Sequence, residues 1–279
     1  FSEAGVESVG ARLIVWPKNS LIRSVVDLHC FKVFEDPAVR NIVFIFGPCD
    51  NAQTALAHPI PIMLVETKPD KIQELRGKVV VEKQQTYFNM PTHMIRLEVY
   101  GAVAKLIHRI KQNAVLFGKI IVAAWGARGV PVQDFHLDKQ VNKYCRKMVK
   151  GDEVERYSIT YSGKWLLYDP GKLYRPSLRE FFENEKIILQ KVAGEQGLLA
   201  AFDDQKYYTD DSLCCCVRAD KLAHLDDGFL RQRKIYLDRN FLPQAAQYDL
   251  KYLLTLICSR LLNFYFRVVL GYELNVYPE

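Results

Sequence analysis

Lys150-Gly151-Asp152-Glu153-Val154-Glu155-Arg156-Tyr157, followed by Lys164-Trp165-Leu166-Leu167-Tyr168, is the stretch on which the reading of this chain turns. Residues 154–161 and 164–168 are rich in β-branched and aromatic side chains, and Ser162-Gly163 separates them, which predicts a β-hairpin. Cations crowd around it. Residues 139–179 hold ten Lys or Arg against four acids, Asp152, Glu153, Glu155 and Asp169, and this surplus equals the formal net charge of +6 of the whole 279-residue chain. A basic patch concentrated in one stretch of a near-neutral chain suits a polyanionic partner. Solvated basic faces also occur without any partner, so the patch alone does not decide the function.

Reading DNA takes cations that neutralise phosphates and forked or planar side chains that meet base edges. Lys143, Arg146, Lys147 and Lys150 are the candidate phosphate contacts; Arg156, Lys164, Lys172 and Arg175 are candidates for phosphates or bases. Trp165, Tyr168 and Tyr174 interleave with them and offer stacking or hydrogen bonding, with core packing as the alternative for Trp165 and Tyr168. Arg128, in Gly126-Ala127-Arg128-Gly129, is a further candidate: the glycines there either let the backbone approach a phosphate or form a plain turn.

Upstream, residues 12–16 and 24–28 read as strands or short helical pieces, and residues 34–37 as a turn. Residues 41–46 and 60–65 are apolar strands of the kind found in sheets covered on both faces. Val99, Val103, Leu106, Ile107 and Ile110 recur at helical spacing, and residues 116–125 read as a strand. Downstream, residues 178–185 predict a short helix, and residues 186–192, 198–202 and 213–217 predict strands. Residues 249–270 predict one long helix with a broad apolar face and Asp249 at its start.

In order, these segments resemble the TaqI-like C-terminal specificity domain of adenine-specific DNA methyltransferases and combined restriction–modification enzymes. In that family a G-x-D-I-x-R-Y segment and hairpin precede a K-I-x-x-x-R strand, an A-x-x-D strand and a Y-L-L-x-L-x-N-S-x-L helix. Here the matching strings are Lys186-Ile187-Ile188-Leu189-Gln190-Lys191, Ala200-Ala201-Phe202-Asp203 and Tyr252-Leu253-Leu254 onward. Glu153 stands where the family has Asp directly before Ile, Lys191 stands near the usual Arg, and Cys258 replaces the helix Asn. The resemblance runs over about residues 118–278. Val25-Val26-Asp27-Leu28, residues 32–39 and residues 42–46 look like the last strands of such a methyltransferase domain.

The resemblance implies an α/β remnant of a methyltransferase domain over residues 1–115, followed by an α+β target-recognition domain with a long C-terminal helix over residues 116–279. It implies double-stranded DNA and the missing methyltransferase catalytic region as partners. The parent enzyme would transfer methyl from S-adenosylmethionine to a flipped adenine and could be fused to an endonuclease. No catalytic or cofactor-binding residue is assigned within this chain. The family's Asn/Asp-Pro-Pro-Tyr/Phe tetrapeptide does not occur, Asn89-Met90-Pro91-Thr92 does not qualify, and no strand leads into a Gly-rich turn.

Two other classes compete with DNA reading. Asp50 with Glu66 and Lys68 resembles the carboxylate–lysine pattern of a metal-dependent nuclease. The helix over residues 249–270 could instead serve as a protein-interaction scaffold. Composition is that of a globular protein, 49% hydrophobic and 25% charged. The most apolar stretch, residues 253–270, is interrupted by Arg260, Asn263 and Arg267, which fails the test for a bilayer span. The seven cysteines form no C-x-x-C pair, and their odd number argues for reduced thiols in a cytoplasmic setting. The six histidines are too scattered for a metal site. Phe1 in place of Met points to a piece of a longer polypeptide.

Overall fold

The structure is a computed structural model that describes residues 20–28, 42–65, 74–90, 95–112, 114–191 and 197–270. The described residues fall into two compact units, one within residues 20–112 together with 268–270 and one within residues 114–267. The architecture is mixed α/β, with several small sheets and short helices. The expectations for residues 12–16 and 34–37 lie outside the described residues.

The first unit is built on a four-stranded sheet of order β2-β1-β3-β4, with β1 Ser20–Asp27, β2 Ile42–Pro48, β3 Pro59–Leu64 and β4 Lys78–Lys83. The apolar runs expected as strands are β2 and β3, and residues 24–28 belong to β1. The central strands β1 and β3 run parallel, and each pairs with its edge strand antiparallel. Period-two alternation buries Ile22 and Val25 of β1 and Ile60 and Ile62 of β3. Full coverage of both faces was the expectation, but Val43, Ile45, Val79 and Val81 of the edge strands stay exposed.

Helix α1, Ala52–Ala57, starts where the Asn51 carboxamide oxygen accepts from the amides of Gln53 and Thr54. Helix α2, Gln84–Phe88, is tied to β1 by the buried Gln84 side chain, which accepts from Ile22 N–H and donates to the Ser20 carbonyl at 3.0 Å each. Helix α3, Gly101–Gln112, follows the apolar spacing and buries Ile107.

In the second unit, residues 117–125 divide. Phe117–Ile120 form a helical turn, α4, and only β5, Ile121–Trp125, is strand. β5 is the edge of an antiparallel sheet of order β12-β11-β14-β5, with β11 Lys186–Gln190, β12 Ala200–Asp203 and β14 Leu213–Arg218. A second sheet, β13-β7-β10-β6, joins Tyr208–Thr209, Cys145–Val149, Trp165–Leu167 and His136–Leu137. β8, Val154–Glu155, pairs with β9, Ser158–Ile159. Helices α5 (Glu180–Glu183), α6 (Asp227–Gln232) and α7 (Leu242–Ala245) are short. The main core holds Met148, Leu166, Tyr168, Phe181, Phe182, Tyr208, Cys215 and Val217.

One ion pair is sealed inside this unit. Lys186 and Asp203 are opposed residues of β11 and β12, and their ammonium and carboxylate pair with no solvent exposure on either side. Lys186 Nζ also donates to the Phe182 carbonyl at 2.6 Å, and Asp203 accepts the amides of Gln205 and Tyr207 at 2.7 and 3.0 Å. Lys186 Nζ and both Asp203 oxygens are thereby hydrogen-bonded, as buried charge requires. The Lys of the K-I strand and the Asp of the A-x-x-D strand thus meet each other rather than solvent.

The expected single helix over residues 249–270 is broken. Asp249 caps α8, Leu250–Ile257, as anticipated, accepting from Lys251 and Tyr252 N–H. The helix then stops at Cys258, and Ser259 turns to an extended backbone and caps α9, Arg260–Tyr265, through its hydroxyl. Asn263 stabilises the break: its amide donates to the carbonyls of Ile257 and Ser259, and its oxygen accepts Leu198 N–H at 2.6 Å. A serine hydroxyl competes with the helical ladder for backbone N–H groups, which the apolar periodicity does not register. Among the described residues no single helix is long and apolar enough to cross a membrane.

Candidate nucleic-acid interface

The expected hairpin exists in a different pairing. β10 does not pair with β8 or β9; it lies between β7 and β6, with Trp165 opposite Lys147 on one side and Leu137 on the other. The tight hairpin is β8–β9, and its two-residue turn is Arg156-Tyr157. Tyr157 adopts φ 73°, the left-handed conformation that costs a bulky residue about 1–2 kcal/mol. Its N–H, donated to the Ala200 carbonyl at 2.8 Å, holds it there. Tyr157 is 52% exposed, and Arg156 is also exposed at this tip.

Glu153 anchors the base of the hairpin. Nearly buried, its carboxylate accepts the N–H of Lys150 at 2.8 Å and of Ser162 at 2.7 Å, while its carbonyl accepts Thr160 N–H. This explains an acid at a position that the sequence marked only as a departure. Glu153→Ala strands two amides in a partly buried setting and is expected to cost about 1–3 kcal/mol, read as a lower denaturant midpoint.

The cations separate into distinct groups. Lys143, Lys147 and Lys150 lie close in sequence to the hairpin, and among the described residues no carboxylate is within 4.0 Å of their ammonium groups. Lys147 Nζ sits 5.8 Å from the Tyr161 ring centre, and Tyr161 packs at 5.2 Å against Tyr207, giving an aromatic surface beside the lysine. Lys143 lies 5.4 Å from the exposed Tyr144 ring. Arg146, adjacent to Lys147 in β7, projects to the opposite face. Its guanidinium lies 5.9 Å from the buried Tyr208 ring and donates to the Lys143 and Cys145 carbonyls.

Lys164, Lys172, Arg128 and Arg175 already have acidic partners. Lys164 pairs with exposed Asp138, whose hydrogen bond and charge raise the lysine's proton affinity and lower that of the carboxyl. Lys172 lies 3.6 Å from Asp169 within one turn. Arg128 and Arg175 converge on one carboxylate, Asp211, at 3.4 and 3.2 Å, and exchange backbone hydrogen bonds with each other. Together with Asp211 they leave a single surplus positive charge.

The glycines beside Arg128 serve packing. A Cβ on Gly126 would collide with the backbone of Thr209 and Asp210, and one on Gly129 with the Phe135 ring. Tyr168 is a core residue, with its ring 4.9 Å from Tyr208 and its hydroxyl donating to the Ser177 carbonyl. Trp165 is half-buried, and Tyr174 is 75% exposed. Tyr161 and Asp211 were not singled out from the sequence, and Glu153 was marked there only as a departure from the family's pattern.

Asp50 is exposed, whereas Glu66 and Lys68 lie outside the described residues. Among the described residues no cluster of three or more His, Cys, Asp or Glu is arranged to hold a metal. Cys214, Cys215 and Cys216 are buried in β14, and burial pushes the Cys215 thiol up to about 12.

Residues 146–279 match the model of the TaqI-like C-terminal specificity domain. No curated protein matches the chain. Among solved structures, one similar chain is the Type IIL restriction-modification enzyme MmeI in complex with DNA, at 11% identity and a TM-score of 0.37. The match covers 91% of this chain and 43% of that one, so the sequence spans less than half the length of that enzyme.

Proposed function

Because residues 146–279 match the model of the TaqI-like C-terminal specificity domain, we propose that the chain is the sequence-reading DNA module of a restriction–modification enzyme or adenine-specific DNA methyltransferase, without a catalytic centre of its own. The observation that carries the reading within the fold is the β8–β9 hairpin, with exposed Arg156 and Tyr157 at its turn. Glu153 and Ala200 fix that turn from below. A two-residue tip on a fixed ribbon is narrow enough for a groove, and a guanidinium there can pair with guanine in a bidentate manner. Lys143, Lys147 and Lys150 supply phosphate contacts, which orient a duplex without reading it.

Arg156→Ala tests this directly. Binding to the cognate site is expected to weaken by about 1–3 kcal/mol, with little change on unrelated DNA, in a competition assay at fixed salt. Equal loss on all sequences would demote Arg156 to a phosphate contact. No loss at all would remove the hairpin from the interface.

On this reading the first unit is the end of a methyltransferase domain, and its catalytic region is the chain's partner. The exposed apolar side chains Val43, Ile45, Val79 and Val81 support it, since such a face is stabilised by cover. S-adenosylmethionine would bind that partner region. In the first unit the strand-to-helix turn between β2 and α1, Cys49-Asp50-Asn51, has no glycine to admit a nucleoside, so no step through the cofactor is assigned to this chain. On this reading the chain works in the cytoplasm, where DNA is met.

A further inference from the structure

A cleft of about 520 Å³ in the first unit lies between α2 and α3 and has no part in the reading above. Its floor is apolar, with Met90, Val99 and Ile107 buried beneath it. Its rim is cationic: Lys83 stands at the start of α2, and Lys105, His108 and Lys111 follow along one face of α3 at three-residue steps. The amides of Gln85 and Asn89 complete the wall.

Glu82, the one acid among the described lining residues, does not offset these charges toward the cavity. Its Oε1 accepts from the Thr86 hydroxyl and Lys83 N–H at 2.9 and 3.0 Å, and its Oε2 accepts Gly101 N–H at 3.0 Å. Glu82 thereby holds the two helices that form the walls. Lys111 donates to the Asn89 carbonyl across the cleft, and partial burial lowers its proton affinity. An anion beside it would restore the solvation that burial removes.

We propose that this cleft binds a nucleoside phosphate, the base on the apolar floor and the phosphate among Lys83, Lys105 and Lys111. Three features select that class. The volume falls in the range of small-ligand sites, about 300–1,000 Å³. An apolar floor with flanking carboxamides suits a flat heterocycle carrying donors and acceptors. Three ammonium groups against one internally engaged carboxylate call for more negative charge than a neutral ligand brings. The ligand is either a free nucleotide or a nucleotide within a strand, since both present the same groups.

Calorimetric titration of the full chain with AMP is the test, with inorganic phosphate and a short single-stranded oligonucleotide as competitors. Saturable AMP binding is expected, and Lys83→Glu and Lys105→Glu should each weaken it about tenfold or more. Both lysines are exposed, so the melting temperature should stay unchanged and separate lost binding from lost folding. Displacement of AMP by the oligonucleotide assigns a strand as the source; displacement by inorganic phosphate without effect of the oligonucleotide assigns a free nucleotide. Absence of saturable AMP binding, or binding that both variants retain, overturns the proposal. Neither result bears on Arg156, so this site and the specificity reading stand or fall separately.

Discussion

Lys186→Met is expected to destabilise the second unit by about 3–5 kcal/mol, the typical cost of removing one partner of a buried ion pair. The Asp203 carboxylate would remain in a site with no solvent exposure, holding two backbone amides but no countercharge. Typical domain stabilities are about 5–15 kcal/mol, so the loss would consume a large part of the total. Urea unfolding followed by tyrosine and tryptophan fluorescence reads it as a lower midpoint at unchanged slope. The double variant Lys186→Met, Asp203→Leu should recover part of the loss: it removes the uncompensated charge, but leaves the Gln205 and Tyr207 amides without their carboxylate acceptor. A single variant as stable as the parent would show that the pair is hydrated in solution.

The second large effect concerns electrostatics at the proposed DNA surface. Reversing both Lys143 and Lys147 to glutamate is expected to lower DNA affinity on the order of tenfold for each phosphate that is no longer neutralised. The slope of log K against log salt should become shallower by about 1.8 for the pair. Because phosphates carry no sequence information, cognate and unrelated duplexes should lose affinity in parallel. Fluorescence anisotropy across a salt series measures both quantities. Lys172→Glu serves as a control, because Lys172 already sits beside Asp169 and its reversal should change the slope less. An unchanged slope in the double variant would place the duplex elsewhere, and a protein scaffold would become the better reading.

Much of the fold was legible in local pattern. β2, β3, β11 and β14 are short β-branched or apolar runs bounded by polar or turn residues, and α3 shows helical spacing, so composition and period suffice for each. What escaped depends on partners far along the chain. The strand that pairs with β10 is chosen by sheet assembly, and the turn after β8 is set by a carboxylate on Glu153 and a carbonyl on Ala200. The helix break at Ser259 rests on Asn263 reaching Leu198, a hydrogen bond across 65 positions. The basic stretch was visible as composition, but not its division. Arg146 and Lys147 part by strand alternation, and Asp211, which gathers Arg128 and Arg175, lies outside the segment whose charge was counted.

The fixed base of the β8–β9 ribbon has a practical corollary for altering target choice. On the proposed reading, a tip fixed before docking spends little conformational freedom on it, so interactions at its end translate into discrimination almost undiminished. Position 157 is held to residues that tolerate left-handed backbone, chiefly Gly, Asn or Asp besides the tyrosine found. Position 156 carries no such restriction. A library randomised at 156 alone should therefore yield variants with new base preferences and unchanged stability, whereas the same diversity placed at 153 should mostly yield chains less stable by about 1–3 kcal/mol.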